Sequence, residues 1–152
     1  MHPGKIVCFA VAILLVACHP STTGTQAAIA AESTTPVAQQ CPSQDFEKFL
    51  ISYIGNSDVQ KQFTSRPLQS DSIDADAEPE PQLVTAMLSD LQFPVIPGQR
   101  EQKDQGLVMS TANAGNNVMV VKLVKPDTDY QVSYYFRHDV CWMLYRKSDE
   151  SI

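Results

Sequence analysis

The sequence predicts an α+β domain, with two or three N-terminal helices packed on an antiparallel β-meander of about four strands. Two patterns carry that prediction. Early in the region from Cys41 onward, Phe46, Phe49, Leu50, Tyr53 and Ile54 recur at helical spacing and form one apolar face. In the last third, apolar residues run in β-rich or alternating blocks separated by clusters of Asn, Gly, Asp and Pro.

The chain opens with Met1-His2-Pro3-Gly4-Lys5 and the apolar run Ile6–Val16. A membrane-spanning helix needs about 20 apolar residues, so this run suits the core of a secretory signal instead. Its end, Leu15-Val16-Ala17-Cys18, resembles the processing box of bacterial lipoproteins. The resemblance implies loss of residues 1–17, a lipid on the Cys18 sulfur, and anchoring in a membrane. Each buried methylene would contribute roughly 0.8 kcal/mol, and two or more acyl chains hold where one does not. His19 stands where inner-membrane retention would favour an Asp, so the resemblance points to the outer membrane, facing the periplasm. The alternative is an ordinary signal cut near Ala27 to Ala31, with Cys18 incidental.

Basic residues number 11 against 17 acidic ones, for a net charge of −6, and loss of the leader would remove Lys5 as well. That balance argues against a nucleic-acid partner, which requires a basic surface, and supplies no polybasic patch for anionic lipid. Cys8 would leave with the leader and Cys18 would be lipidated. Cys41 and Cys141 then remain, and an oxidising compartment favours a disulfide between them. Two free buried thiols, or one reactive thiol, are the other options; no CxxC pair is present.

Residues 18–40 are rich in Ser, Thr, Ala and Gln and have no hydrophobic period, which predicts a flexible tether before a domain over 41–152. Ser43 is expected to cap the first helix, with Asp45 in its first turn and Gly55-Asn56 as its stop, Gly55 being free to turn left-handed. Ser57 to Gln62 makes a second short turn. Pro67 restricts Phe63–Leu68 to an edge strand or a strand end. The segment 69–81 carries Asp71, Asp74, Asp76, Glu78 and Glu80 and reads as a solvated acidic loop; it lacks the Gly of a calcium-binding EF-hand loop. A second helix is expected from about Pro81 to Leu91, with Val84, Met87, Leu88 and Leu91 on one face. Gln99 to Gln105 is polar and reads as a loop.

The meander then follows. Leu107–Thr111 and Val118–Val124 are β-rich and flank the turn-forming cluster Ala112–Asn117. Tyr130, Val132, Tyr134 and Phe136 alternate onto one face of the third strand, with Gln131, Ser133 and Tyr135 on the other. Val140–Arg146 closes the sheet with apolar residues on both faces, which implies cover on both sides.

The segments Asp45-Phe46-Glu47-Lys48-Phe49, Phe63–Leu68 and Cys141-Trp142-Met143-Leu144 are similar to small bacterial lipoproteins of the nuclear-transport-factor-like (NTF2-like) superfamily. That resemblance implies a curved, cone-like sheet whose interior holds Asp, His or Tyr in the enzymes of the group. The superfamily contains both enzymes and binding modules, so the fold alone assigns no activity.

Catalytic chemistry is thinly represented. His138 reads as an exposed turn residue; no metal-ligand spacing, phosphate loop or nucleophile elbow occurs, and no catalytic residue, metal or cofactor is expected. Tyr134 and Trp142 are candidate pocket residues, with core packing as the alternative; Tyr135, on an otherwise polar face, is a candidate exposed contact. The expected function is a lipid-anchored periplasmic protein-binding module. It would be an immunity or inhibitor lipoprotein, or an accessory part of an envelope or secretion machine, whose acidic residues Asp71, Asp74, Asp76, Glu78 and Glu80 meet a basic protein. The alternative is a small-molecule binder or enzyme using the concave face of the sheet.

Overall fold

A computed structural model describes residues 40–152. The expected leader, the lipidation at Cys18 and nearly all of the tether lie outside these residues.

Helix α1 (Phe46–Gly55) turns Phe46, Phe49, Leu50, Tyr53 and Ile54 into the core, as its apolar spacing requires. Its cap is Asp45, not Ser43: the Asp45 carboxylate accepts from the Lys48 amide at 3.0 Å, while the Ser43 hydroxyl accepts from the Asp45 amide. The helix leaves through extended Asn56 at φ −145°, so Gly55 uses no left-handed conformation. Asn56 then caps helix α2 (Ser57–Gln62), its side chain accepting from the Asp58 amide at 2.8 Å.

Strands β1 (Thr64–Asp74), β2 (Gln82–Leu88), β3 (Val108–Gly115), β4 (Val118–Val124), β5 (Gln131–His138) and β6 (Trp142–Asp149) form one mixed six-stranded sheet in the order β2-β1-β6-β5-β4-β3, two strands more than expected. Strands β3, β4, β5 and β6 are the antiparallel meander read from the sequence. The β3–β4 turn is tighter than the Asn-rich cluster implied, with Asn116 and Asn117 both left-handed at φ 50° and 59°. Such a pair matches the twist of a hairpin.

The other two strands correct the reading of residues 63–91. β1 (Thr64–Asp74) is interior, antiparallel to β2 on one side and parallel to β6 on the other. Pro67 is accommodated because pairing with β6 jumps from Thr64–Leu144 to Gln69–Arg146, and pairing with β2 begins only at Leu68. The ladder therefore asks no amide of Pro67. Gln69–Asp74 is thus strand, not loop. Residues 82–88, expected in a helix, form β2 (Gln82–Leu88), whose seven pairs with β1 run in unbroken register. A short apolar run fits either period, and the partner strand decides between them. Gln99–Asp104, expected as a loop, is helix α3, whose Gln102 is buried and donates to the Pro97 carbonyl at 2.7 Å.

The core lies between α1 and α2 and one face of the sheet. Phe46, Phe49, Tyr53, Phe63 and Phe136 meet there in edge-on and tilted contacts, with Leu68, Ile96, Val121, Leu123, Val132 and Leu144 around them. Each such side chain contributes roughly 1.5–3 kcal/mol on burial. Buried Gln60 ties the 93–98 segment to α2: its amide donates to the Ile96 carbonyl at 2.8 Å and its oxygen accepts from the Val95 and Ile96 amides. Thr64 donates its hydroxyl to the Gln60 carbonyl at 2.6 Å, so the Tyr53 phenol must be the donor in its 2.5 Å bond to Thr64. Burial pushes the Tyr53 phenol far above its ordinary pKa, against a smaller opposing effect of the Thr64 bond. Cys41 and Cys141 are joined as a disulfide, Cα atoms 5.5 Å apart, which fastens the chain ahead of α1 to the start of β6.

Candidate functional site

Alternation along β5 and β6 sorts the candidate side chains onto the two faces of the sheet. Tyr134 and Trp142 point to the helix side and are buried. Phe46 packs edge-on against Trp142 at 4.8 Å, and the Trp142 indole donates to the Gln44 carbonyl at 2.9 Å. Burial, with smaller contributions from Tyr130, Asp149 and Tyr53, raises the Tyr134 phenol above its usual pKa. His138 is not a turn residue. It ends β5, packs against Trp142 at 4.7 Å, and its Nε2 lies 2.7 Å from Gln44 Oε1. Gln44 therefore anchors the approach to α1 through both residues.

The opposite face carries a polar row that crosses four strands. Tyr135 on β5 pairs with Arg146 on β6, Arg146 with Gln69 on β1, and Asp71 on β1 with Thr85 on β2. Thr85 donates to Asp71 Oδ1 at 2.7 Å, and Arg146 Nε donates to Oδ2 while Gln69 reaches both oxygens. The Arg146 guanidinium also sits 4.7 Å from the centre of the Tyr135 ring. Asp71 is only 1% exposed, although it was expected on a solvated loop. Neighbouring side chains cover it at the open face of the sheet; it is not sunk in the core. Burial works against its charge, but hydrogen bonds from Thr85, Arg146 and Gln69 outweigh that and hold its pKa below the usual carboxylate value. Sequence reading missed Arg146 as its partner because the two lie on strands brought together only by the parallel β1–β6 pairing.

The remaining acidic residues cluster at the far end of the β1–β2 hairpin. Asp74, Asp76, Glu78 and Glu80 are exposed around its turn, where the Asp74 side chain accepts from the Asp76 amide at 3.1 Å. Among the described residues, none of the four comes within 4.0 Å of a cationic group. Alongside them on β2, Leu83, Val84, Met87 and Leu88 are 60, 45, 59 and 37% exposed. The structure thus places acidic and apolar surface on one arm, where the sequence pattern implied a loop followed by an amphipathic helix.

Among the described residues no three His, Cys, Asp or Glu side chains come together as a metal site, and no helix is long and apolar enough to cross a membrane. A surface cleft of about 350 Å³ lies between β1, β2 and the 90–95 segment, lined by Leu68, Leu88, Leu91, Pro94, Val95 and Lys147.

The chain matches no protein-family model and no curated protein. Among solved structures it is similar to an NTF2-like protein from Bacteroides fragilis, with a TM-score of 0.51 and 19% identity. The match covers 75% of this chain and 50% of that one, so this chain spans about half of its structural neighbour's length. The likeness assigns an NTF2-like fold, in agreement with the α+β resemblance read from the sequence.

Proposed function

We propose that the chain is a lipid-anchored, periplasm-facing protein-binding module whose β1–β2 arm engages a basic partner. The observation that carries this reading is the joint exposure of Leu83, Val84, Met87 and Leu88 beside four carboxylates without an ion-pair partner among the described residues. Apolar surface rimmed by charge is the chemistry of protein contacts. The Leu15-Val16-Ala17-Cys18 box supports the anchor. An immunity or inhibitor lipoprotein acting on a basic envelope enzyme, or an accessory part of an envelope machine, would use such an arm. Asp71 then serves to hold the strands in place, and Asp74, Asp76, Glu78 and Glu80 face the partner.

Affinity capture with the full-length, oxidised protein from envelope and secreted fractions tests this. A single basic protein retained in near-equal amount, released by salt, and lost when the four arm carboxylates are changed to Ser is the expected result. Retention that ignores both salt and the substitutions would sink it. The alternative, a small-molecule binder or enzyme, rests on the cleft beside Lys147, whose volume of about 350 Å³ is at the small end for ligand sites. An empty capture column would favour that alternative.

A further inference from the structure

β2 is an edge strand, bonded to β1 on one side only. Natural edges are usually blunted by Lys, Pro, a bulge or a covering segment. Gln82–Leu88 has none of the first three: it contains no charge and no Pro, and its register with β1 is unbroken. All seven of its residues are exposed, so among the described residues nothing covers it. Leu83 and Met87 project from one face and Val84 and Leu88 from the other, following the alternation of the strand. Strand addition at such an edge draws affinity from main-chain hydrogen bonds and specificity from the alternating side chains.

Charge decides the occupant. No Lys, Arg or His occurs between Arg66 and Arg100, and β2 has Glu78 and Glu80 before it and Asp90 after it. A second copy pairing antiparallel would set Glu80 of each strand against Asp90 of the other, and a parallel copy would set identical acids side by side. Both arrangements place like charges together at the two ends. A segment with basic ends meets opposite charge in either direction.

We propose that the free edge of β2 captures an extended apolar segment of a partner protein, flanked at both ends by Lys or Arg, as a seventh strand of the sheet. This rests on the protein-binding reading above and specifies its mode. At about 3.3 Å per residue, the seven positions of β2 offer an edge roughly 23 Å long.

The probe is a synthetic peptide of alternating Val and Thr with a Lys pair at each end, titrated into the full-length protein in detergent. Binding is read by fluorescence anisotropy, and its location by amide hydrogen exchange. Tight binding with new protection of the Gln82–Leu88 amides is expected. A Glu-flanked peptide, a Lys-flanked Gly-Ser peptide and an N-methylated copy should each bind at least about tenfold more weakly, a difference of about 1.4 kcal/mol. The double variant Leu83→Lys with Met87→Lys should weaken the Lys-flanked peptide to a similar extent; both sites are exposed, and the exchange map of the unaltered protein stands whether or not this variant folds.

Equal binding of the Gly-Ser peptide would reduce the effect to charge alone. Protection at Val108–Gly115 would move the site to the other edge. Concentration-dependent dimerisation with β2 protection in the absence of peptide would make a second copy the occupant. Each result overturns the proposal. A captured natural partner whose affinity ignores the double Lys variant would end the strand-addition mode while leaving the protein-binding reading intact.

Discussion

Replacing Arg146 should destabilise the domain more than replacing Asp71, although the two form one ion pair. Arg146 is a third exposed, with 33% of its side-chain surface reached by solvent, whereas Asp71 is 1% exposed. In Arg146→Met the carboxylate stays covered, with only the Thr85 and Gln69 donors to stabilise its charge. Breaking a fully buried pair costs about 3–5 kcal/mol; discounted for the exposure of Arg146, the cost here is about 2–3 kcal/mol. In Asp71→Asn the guanidinium can turn to water while the amide oxygen still accepts from Thr85, so the cost is about 1–2 kcal/mol. With a urea slope of about 1.5 kcal/mol per M, Arg146→Met lowers the unfolding midpoint by about 1.3–2 M.

The pH dependence follows from the direction of the Asp71 shift. Its folded pKa lies below the unfolded value of about 3.9, so its contribution is present above that value and is lost as pH falls through the folded pKa. The penalty of Arg146→Met should therefore shrink below about pH 4, where a protonated Asp71 no longer needs a cation. Urea unfolding of both variants between pH 7 and pH 3, followed by circular dichroism, checks this. An Asp71→Asn cost equal to or above that of Arg146→Met, or a penalty constant across that range, would refute the reasoning.

Two further outcomes concern the frame that carries the arm. Replacing Cys41 and Cys141 together by Ser releases a disulfide spanning 100 residues of sequence. Loop entropy sets that loss at about 4.7 kcal/mol, and thermal unfolding under oxidising conditions should show a substantial fall in Tm; a change below about 1 kcal/mol would mean that the unfolded chain is already constrained. Gln60→Leu leaves the Ile96 carbonyl and the Val95 and Ile96 amides without their side-chain partner, at a cost of about 2–4 kcal/mol. Hydrogen exchange should rise first at Val95 and Ile96, and a uniform rise across the sheet would contradict a local clamp.

Much of the frame was legible because its signals are local. The apolar face of α1, the Asn-rich hairpin and the alternation of Val132, Tyr134 and Phe136 each sit in one short segment, and each lies in the core or turn that its period demands. The cysteine pairing was one of several options in the sequence, and the fold settles it by bringing the Cα atoms of Cys41 and Cys141 to 5.5 Å. The capping of α1 was misread by two residues, since Ser43 and Asp45 are both competent and only the path of the chain selects Asp45.

What sequence alone determined is the α+β class, the central meander and a net acidic balance, with the Cys41–Cys141 link as one of the options it left open. What only tertiary structure decided is the hairpin of β1 and β2. Thr64–Asp74 has little strand character of its own and becomes a strand because β2 and β6 supply hydrogen bonds to it from both sides. Val84, Met87, Leu88 and Leu91 satisfy a helical period, yet pairing with β1 imposes a period of two on Val84, Met87 and Leu88 and leaves their apolar surface exposed, while Leu91, beyond the strand, packs against the core. The β1–β2 and β1–β6 pairings together cover Asp71 with Thr85 and Arg146 and leave Asp74, Asp76, Glu78 and Glu80 in water. A short apolar run allows more than one period; the neighbouring strand selects the period, and with it which side chains share a face and whether that face is covered.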